Sequence, residues 1–297
     1  MNTALILIKR DVKMFFKDKA MFLTSLLTPG ILLVLYATFL ANIYRDSFAS
    51  GMPEGAVSDA LIDGLVGAQL ISSLLAVSCV TVAFCSNFLM VQDKANGTVK
   101  DLMISPVSAS KLSVSYYVST FISTLIISLA AIAICLVYVA FIGFYMSFVD
   151  LLLLLIDVLA LIAFGTALSS IINFFLTTQG QISAVGSIVS AGYGFICGAY
   201  MPISSFGEGL RRVIAFLPGT YGTSLLRNHT MRGVLSAIED EGVPTGVVDE
   251  LRDLLDCNVY FFDTAVSEPV MYAILFGSGA LLLGVYILMN FLRKKDS

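Results

Sequence analysis

The side chain best placed to carry a proton is Asp157, which stands inside an apolar run beginning at Leu151, about 9 to 10 Å along a helix that rises 1.5 Å per residue. A carboxylate at that depth is a candidate for a proton relay, and so near a helix end it could equally reach headgroup water. The single histidine, His229, lies in Asn228-His229-Thr230, which like Asn96-Gly97-Thr98 has the pattern of a glycosylation sequon. Matches this short recur by chance, and neither carries an argument. One histidine and five scattered cysteines offer no metal site, and no Ser/His/Asp arrangement supports hydrolysis. Cys79, Cys85, Cys135 and Cys197 fall in apolar runs and Cys257 alone in an expected outer loop, so no disulfide is expected. The chain has no Gly-Lys dipeptide, hence no G-x-x-x-x-G-K-[ST] loop to cradle phosphates, so it is not itself a nucleotide-driven motor.

The elements that must hold these residues are set by composition. With 58% hydrophobic and 13% charged residues and a mean hydropathy of +0.91, a soluble domain would expose more apolar surface than water tolerates. The fold class is all-α, a polytopic membrane protein. Apolar runs long enough to span a bilayer cover about 20–43, 65–91, 116–143, 151–174, 182–201 and 269–292, six in all, which places both termini on one side. Pro29-Gly30 predicts a kink in the first; residues 46–64 read as a loop and Phe144 to Asp150 as a tight turn. The units are an interfacial helix (1–19), five spans with a polar loop at 92–111 (20–201), an outer segment (202–268), and the sixth span with its tail (269–297).

In the opening segment Leu5, Ile8, Val12 and Phe15 recur at helical spacing opposite Lys9, Lys13 and Lys17, with Arg10 beside them, predicting a helix that lies in the interface. The stretch Gln92–Lys111 is a polar island between two spans. Gly97 permits positive φ, Thr98 can cap, Val99, Leu102 and Met103 give an apolar stripe, and Pro106 ends a short amphipathic helix. Lys and Arg number 11 on the side holding 1–19, 92–111 and the tail, against six on the other, so the first side is cytoplasmic. The outer segments carry net charges of −3 and −5, which disfavours binding of anionic headgroups there.

Taken with its neighbours, the polar island resembles that of permease subunits of ABC transporters of the type-2 exporter family. The resemblance rests on Asp93, Gly97, Thr98, Leu102 and Ser105-Pro106-Val107-Ser108. It rests too on Met201-Pro202, Arg211, Leu217-Pro218, Tyr221 and Leu226-Arg227, and on the opening RDVKMFFKDK with Pro29. Asp93 departs from a commoner Glu, a shortening that could weaken a contact with a partner. The resemblance implies that the 92–111 helix docks into a groove on a separate ATPase, with Asp93, Gly97, Thr98, Leu102, Met103 and Pro106 as coupling residues and the opening helix flanking the same partner. ATP and Mg would be bound by two ATPase copies and not by this chain. A second permease, identical or a paralogue, would complete the pathway. The setting implied is a prokaryotic plasma membrane with both termini cytoplasmic; no nucleic-acid partner is implied.

Two stripes are candidates for the pathway wall. In the second span Gln69, Ser72, Ser73, Ala76, Cys79, Ala83 and Asn87 share a mildly polar face, for which interhelical hydrogen bonding is the plainer explanation. In the fifth, Gly186, Ser190, Gly194 and Gly198 recur every four residues, and close packing explains that equally well. Neither face carries a charge, which favours an amphipathic or lipidic cargo. In the outer segment, residues 205–216 and 220–231 read as a helix pair broken at Leu217-Pro218-Gly219. The resemblance makes this pair re-entrant, with Phe216, Leu217, Pro218 and Tyr221 as an outer gate. Residues 233–267 read as a small solvated cap containing a turn at Gly242 and an amphipathic helix. The main reading is thus a permease of an ATP-driven exporter. The alternatives are a proton-coupled secondary transporter using Asp157 and a non-transporting membrane anchor for an ATPase.

Overall fold

The computed structural model describes residues 3–51, 57–104, 107–262 and 264–293. Helix α1 (Thr3–Lys17) leads into α2 (Lys19–Leu35), which opens on Asp18, whose carboxylate accepts from the amides of Ala20 and Met21 at 3.0 and 3.1 Å. A single π-turn at Tyr36–Leu40 joins α2 to α3 (Ala41–Gly51). Then follow α4 (Asp59–Ala95), α5 (Thr98–Ile104), α6 (Ala109–Ile142) and α7 (Phe148–Phe175). Helices α8 (Gln179–Ile196), α9 (Glu208–Ile214), α10 (Pro218–Asp240) and α11 (Thr245–Leu254) come next. A two-strand hairpin, β1 (Tyr260–Phe261) and β2 (Thr264–Ala265), precedes α12 (Glu268–Arg293). The sequence punctuates these ends: Ser147 and Asp150 form a capping box on α7, Thr178 and Gln181 another on α8, and Ser108 caps α6.

Among the described residues five helical stretches are long and apolar enough to cross a membrane: Lys19–Phe48, Asp59–Ala95, Ala109–Ile142, Phe148–Phe175 and Glu268–Leu292. The expected span at 182–201 is represented by α8, which is not among them, because its 18 residues include Gln179, Gln181, four glycines and three serines. It starts beside the α7 C-terminus, and the turn after it is bonded to α10 through the Gly198 carbonyl.

Several expected boundaries move. The chain stays helical through Pro29, and the irregularity is the π-turn seven residues later, where buried Tyr36 stacks on Tyr44 at 5.7 Å. The loop expected over 46–64 is mostly helical, since α3 runs to Gly51 and α4 starts at Asp59. Residues 233–240, expected in the cap, continue α10. The remainder of the cap is not solvated throughout, because Val243, Val248, Leu251, Leu255, Cys257 and Val259 join the main core.

Helix α4 sits at the centre, packed by α2, α6, α7, α8 and α10. Its small residues let five helices close around it, and at Gly165 on α7 an added Cβ would lie 3.1 Å from the Val80 Cα. Helix α1 lies along α6 and turns Leu7, Asp11 and Phe15 inward. This buried row shares only Phe15 with the apolar stripe expected to face lipid: Leu5 is exposed, and an acid occupies the middle of the row. What holds α1 is a charge clamp. Arg10 donates through both terminal nitrogens to the Asp93 carboxylate at 2.7 and 3.0 Å, and the Tyr116 hydroxyl donates to the same carboxylate at 2.6 Å. Hydrogen bonding to Asp93 raises the Arg10 guanidinium further above its ordinary range.

The clamp joins α1, α4 and α6, and two predictions follow from its burial. Asp93→Asn, which removes the two-pronged partner of the half-buried Arg10 and leaves it only Asp11, is expected to cost about 1–3 kcal/mol. Arg10→Met should cost a similar amount, with strong coupling in a double-mutant cycle followed by thermal unfolding in detergent. Asp11 provides a pH handle. Burial pushes its carboxyl up to about 7, offset in part by the Arg10 charge and hydrogen bond at 2.8 Å. Its folded-state value exceeds the unfolded one, so stability falls as pH rises from about 4 to 7 and stays low above. Asp11→Asn should therefore stabilise the protein above about pH 7, by on the order of a few kcal/mol at most and read as a higher thermal midpoint, and change nothing near pH 4.

Candidate coupling site

Helix α5 is reached from α4 through Asn96 and Gly97, and Gly97 takes φ +80°, the left-handed turn its sequence position requires. The Gly97 carbonyl accepts from the amides of Lys100 and Asp101 at 2.9 and 3.4 Å, so Thr98 is the first helical residue and not the cap. Val99 and Leu102 face inward against Leu7, Met90, Leu112, Tyr116 and Tyr286. Met103 and Ile104 face outward, 48% and 86% exposed, between the exposed charges of Lys100 and Asp101. An apolar pair held out on a helix whose other face is anchored makes a candidate contact surface. Pro106 lies outside the described residues. Asp93, expected on that surface, is instead 3% exposed and committed to Arg10 and Tyr116. Beside it, Lys94 donates to the carbonyls of Asn173, Phe174 and Leu176 at 2.9, 2.8 and 3.3 Å, capping the C-terminus of α7. A cavity of about 190 Å³ opens between Lys94, Lys100, Met103, Tyr116 and Asn290.

The opposite end is acidic, and its loops gather as the charge count implies: Arg45 bonds Asp63 and Asp59 at 2.9 and 3.0 Å, and the Ser58 amide donates to Glu241 at 3.0 Å. Helix α10 descends from this end into the bundle. Its N-terminal turn lies deep, with Gly222 against Leu161 of α7 and Gly219 against Tyr193 of α8, while Gly233 meets the backbone of Tyr145 near the surface. The break at Leu217-Pro218-Gly219 falls where expected, with Pro218 in the first turn of α10. Phe216 is 63% exposed and meets Phe261 and Phe262 edge-on, while Tyr221 is buried and its hydroxyl donates to the Ala215 carbonyl at 2.6 Å. An outer cavity of about 400 Å³ lies between α9 and the hairpin, lined by Arg211, Asp253, Tyr260 and Phe262 among others.

Charges inside the bundle converge on α10. Arg227, fully buried, donates to Asp256 at 2.7 Å and to the Gly198 carbonyl at 2.6 Å. Two residues on, His229 Nδ1 shares a hydrogen bond of 2.6 Å with Asp157, and the second Asp157 oxygen accepts from the Tyr272 hydroxyl. Asp157 is fully buried and does not reach headgroup water. Nothing in the sequence pairs Asp157 with His229, 72 residues away; the one available signal for Arg227 was a cation flanked by Leu225 and Leu226 in an otherwise helical pattern.

The two proposed wall stripes occupy different places. Gln69, Ser73, Ala76 and Asn87 are buried within this single chain, and at Asn87, which donates to Ser169 and Ser170 at 3.1 and 3.0 Å, the face serves interhelical hydrogen bonding. On α8, Gly186 lies against Phe88 of α4 and Gly194 is buried against Tyr200, while Ser190 is partly exposed. Removing one half of the buried ion pair tests the anchoring of α10. Asp256→Ala leaves Arg227 as an uncompensated buried charge, with an expected loss of about 3–5 kcal/mol read as a lowered thermal midpoint. Pairing it with Arg227→Met should recover part of that loss.

None of the curated proteins matches this chain. The family described as ABC-2 type transporter matches residues 3–230 of the 297, from α1 through the first half of α10. The match takes in the clamp, α5, the central helix and the Leu217-Pro218-Gly219 turn. The chain therefore belongs to the ABC-2 type transporter family, as its membrane-spanning component and not its ATPase.

Proposed function

We propose that this chain is the permease subunit of an ATP-driven exporter in a plasma membrane, with its basic end and both termini cytoplasmic. Membership of the family implies association with an ABC ATPase. The observation that carries the finer reading is α5: Met103 and Ile104 stand exposed on a helix continuous, through one turn, with the central α4. Force applied to α5 by a closing pair of ATPases acts directly on the helix that five others grip. Helix α1, clamped through Arg10, moves with it and flanks the same partner.

In this reading α8 makes the sixth crossing, supported by its course from the α7 end to Arg227. Its outward face, which exposes Ile188 and Phe195, meets a second permease, identical or a paralogue. The cargo, amphipathic or lipidic, then passes between the two permeases along α8, since the α4 stripe is enclosed by its own chain. Phe216, Leu217 and the Pro218 turn gate the outer exit, supported by the exposure of Phe216 and Leu217 and by a cavity of about 630 Å³ that Phe216 lines with Phe261 and Ile274. A second reading, a proton-coupled secondary transporter, is favoured by the Asp157–His229 contact.

One substitution separates the two. Ile104→Glu alters a residue with 86% exposure and leaves the core intact. It is expected to abolish co-purification of the ATPase and reduce export at least about tenfold, as loss of a central apolar anchor does. Unchanged export by Ile104→Glu at normal expression would refute the coupling reading, and loss of export in Asp157→Asn alone would favour the proton-driven one.

A further inference from the structure

The cluster around His229 takes no part in the coupling site, and one of its atoms is unexplained. His229 is fully buried on α10, yet its Nε2 has no hydrogen-bond partner among the described residues. Glu268 Oε2, in the first turn of α12, stands 3.8 Å from that nitrogen, and the Glu268 side chain is 44% exposed. On the other side of the ring Nδ1 engages Asp157 at 2.6 Å. A buried polar atom left unsatisfied costs about 1–3 kcal/mol. A proton on Nε2 supplies the missing donor and places an imidazolium between two carboxylates, one buried and one reaching solvent.

We propose that Asp157, His229 and Glu268 form a proton-binding site whose occupancy locks the re-entrant helix α10 to α7 and α12. The proton arrives on the Glu268 carboxylate and passes to His229 Nε2, while Nδ1 keeps its hydrogen donated to Asp157. Glu268 returns to its anionic form and closes on the imidazolium. Among the titratable groups that face α10, Asp256, after α11, holds Arg227 at 2.7 Å, and Tyr193 of α8 lies against Gly219. Helix α7 presents Asp157, and Asp150 in contact with Arg232 at 3.3 Å; α12 presents Tyr272 and Glu268. Helix α4 brings the Cys79 thiol within electrostatic reach of Asp157, and α11 buries the apolar Val248 and Leu251. The contacts run from Glu268 through His229 and Asp157 to Tyr272 and so return to α12. That closed circuit suits a lock and not a transmembrane proton route. The site stands on geometry alone; that Glu268 faces outward rests on the orientation proposed above.

The chain contains a single histidine, so nuclear magnetic resonance of protein labelled with nitrogen-15 histidine reports His229 alone. In full-length protein in lipid nanodiscs the imidazolium signal should grow as pH falls from about 8 to 5. At the wild-type half-point, Glu268→Gln should reduce it about threefold or more. Because the Glu268–His229–Asp157 contacts of the protonated ring exist only in the folded protein, the thermal midpoint should rise over the same fall in pH, and that rise should shrink in Glu268→Gln, a partly exposed position that leaves the fold in place. A ring neutral throughout, or one titrating identically in Glu268→Gln, overturns the proposal. In sealed vesicles of known orientation, a response to pH on the side of the α5 end would overturn the orientation while leaving the site standing.

Discussion

Everything in this fold depends on α4 being buried all round. From Gly64 to Val91 every residue of that helix is covered by protein. In a bilayer, where apolar side chains gain little by leaving lipid, such enclosure has to come from close packing and hydrogen bonds. The sequence meets the requirement with glycines, alanines, serines and cysteines around the helix, with Gly165 of α7 brought against the Val80 backbone, and with Asn87 bonded to Ser169 and Ser170. A helix gripped this way transmits displacement along its axis, because packed interiors respond as solids and not as fluids.

Both ends of α4 are then tied to elements that can receive or deliver that displacement. At the basic end Asp93 binds α1 and α6, Lys94 caps α7, and Gly97 turns the chain into α5. Toward the acidic end α10 packs against α4 from within the bundle, held by the Arg227–Asp256 pair and by His229 on Asp157. Buried ion pairs such as these add little net stability, yet they are costly to break, which makes them suited to fixing where a helix sits.

Much of this was legible in the residues. Gly97 announced a left-handed turn, the Val99–Leu102 spacing a short amphipathic helix, and Leu217-Pro218-Gly219 a break between two helices; each is a local signal that the backbone must obey. What stayed hidden was long-range pairing. Asp93 read as a surface acid because it lies among loop charges, whereas its partner Arg10 is 83 residues away. Asp157 and His229 looked unrelated for the same reason. The polar stripe of α4 looked like a cavity wall because periodicity reveals a face but not what covers it, and here the cover is the rest of the same chain. Helix α8 shows the converse: its glycines and glutamines lower its apolarity below that of an ordinary span, although it packs against α4 and the turn after it is bonded to buried Arg227 of α10.

The central claim is that α5 meets the ATPase. It is most directly tested by crosslinking from a single cysteine at position 104. The native cysteines, Cys79, Cys85, Cys135, Cys197 and Cys257, are all buried, so an exposed one is labelled selectively. With a photoactivatable group there, the account predicts a crosslink to a co-expressed ABC ATPase, and none from the same group at position 260, which is exposed at the far end. Crosslinks from position 104 to lipid alone, or equal capture from both positions, would contradict it.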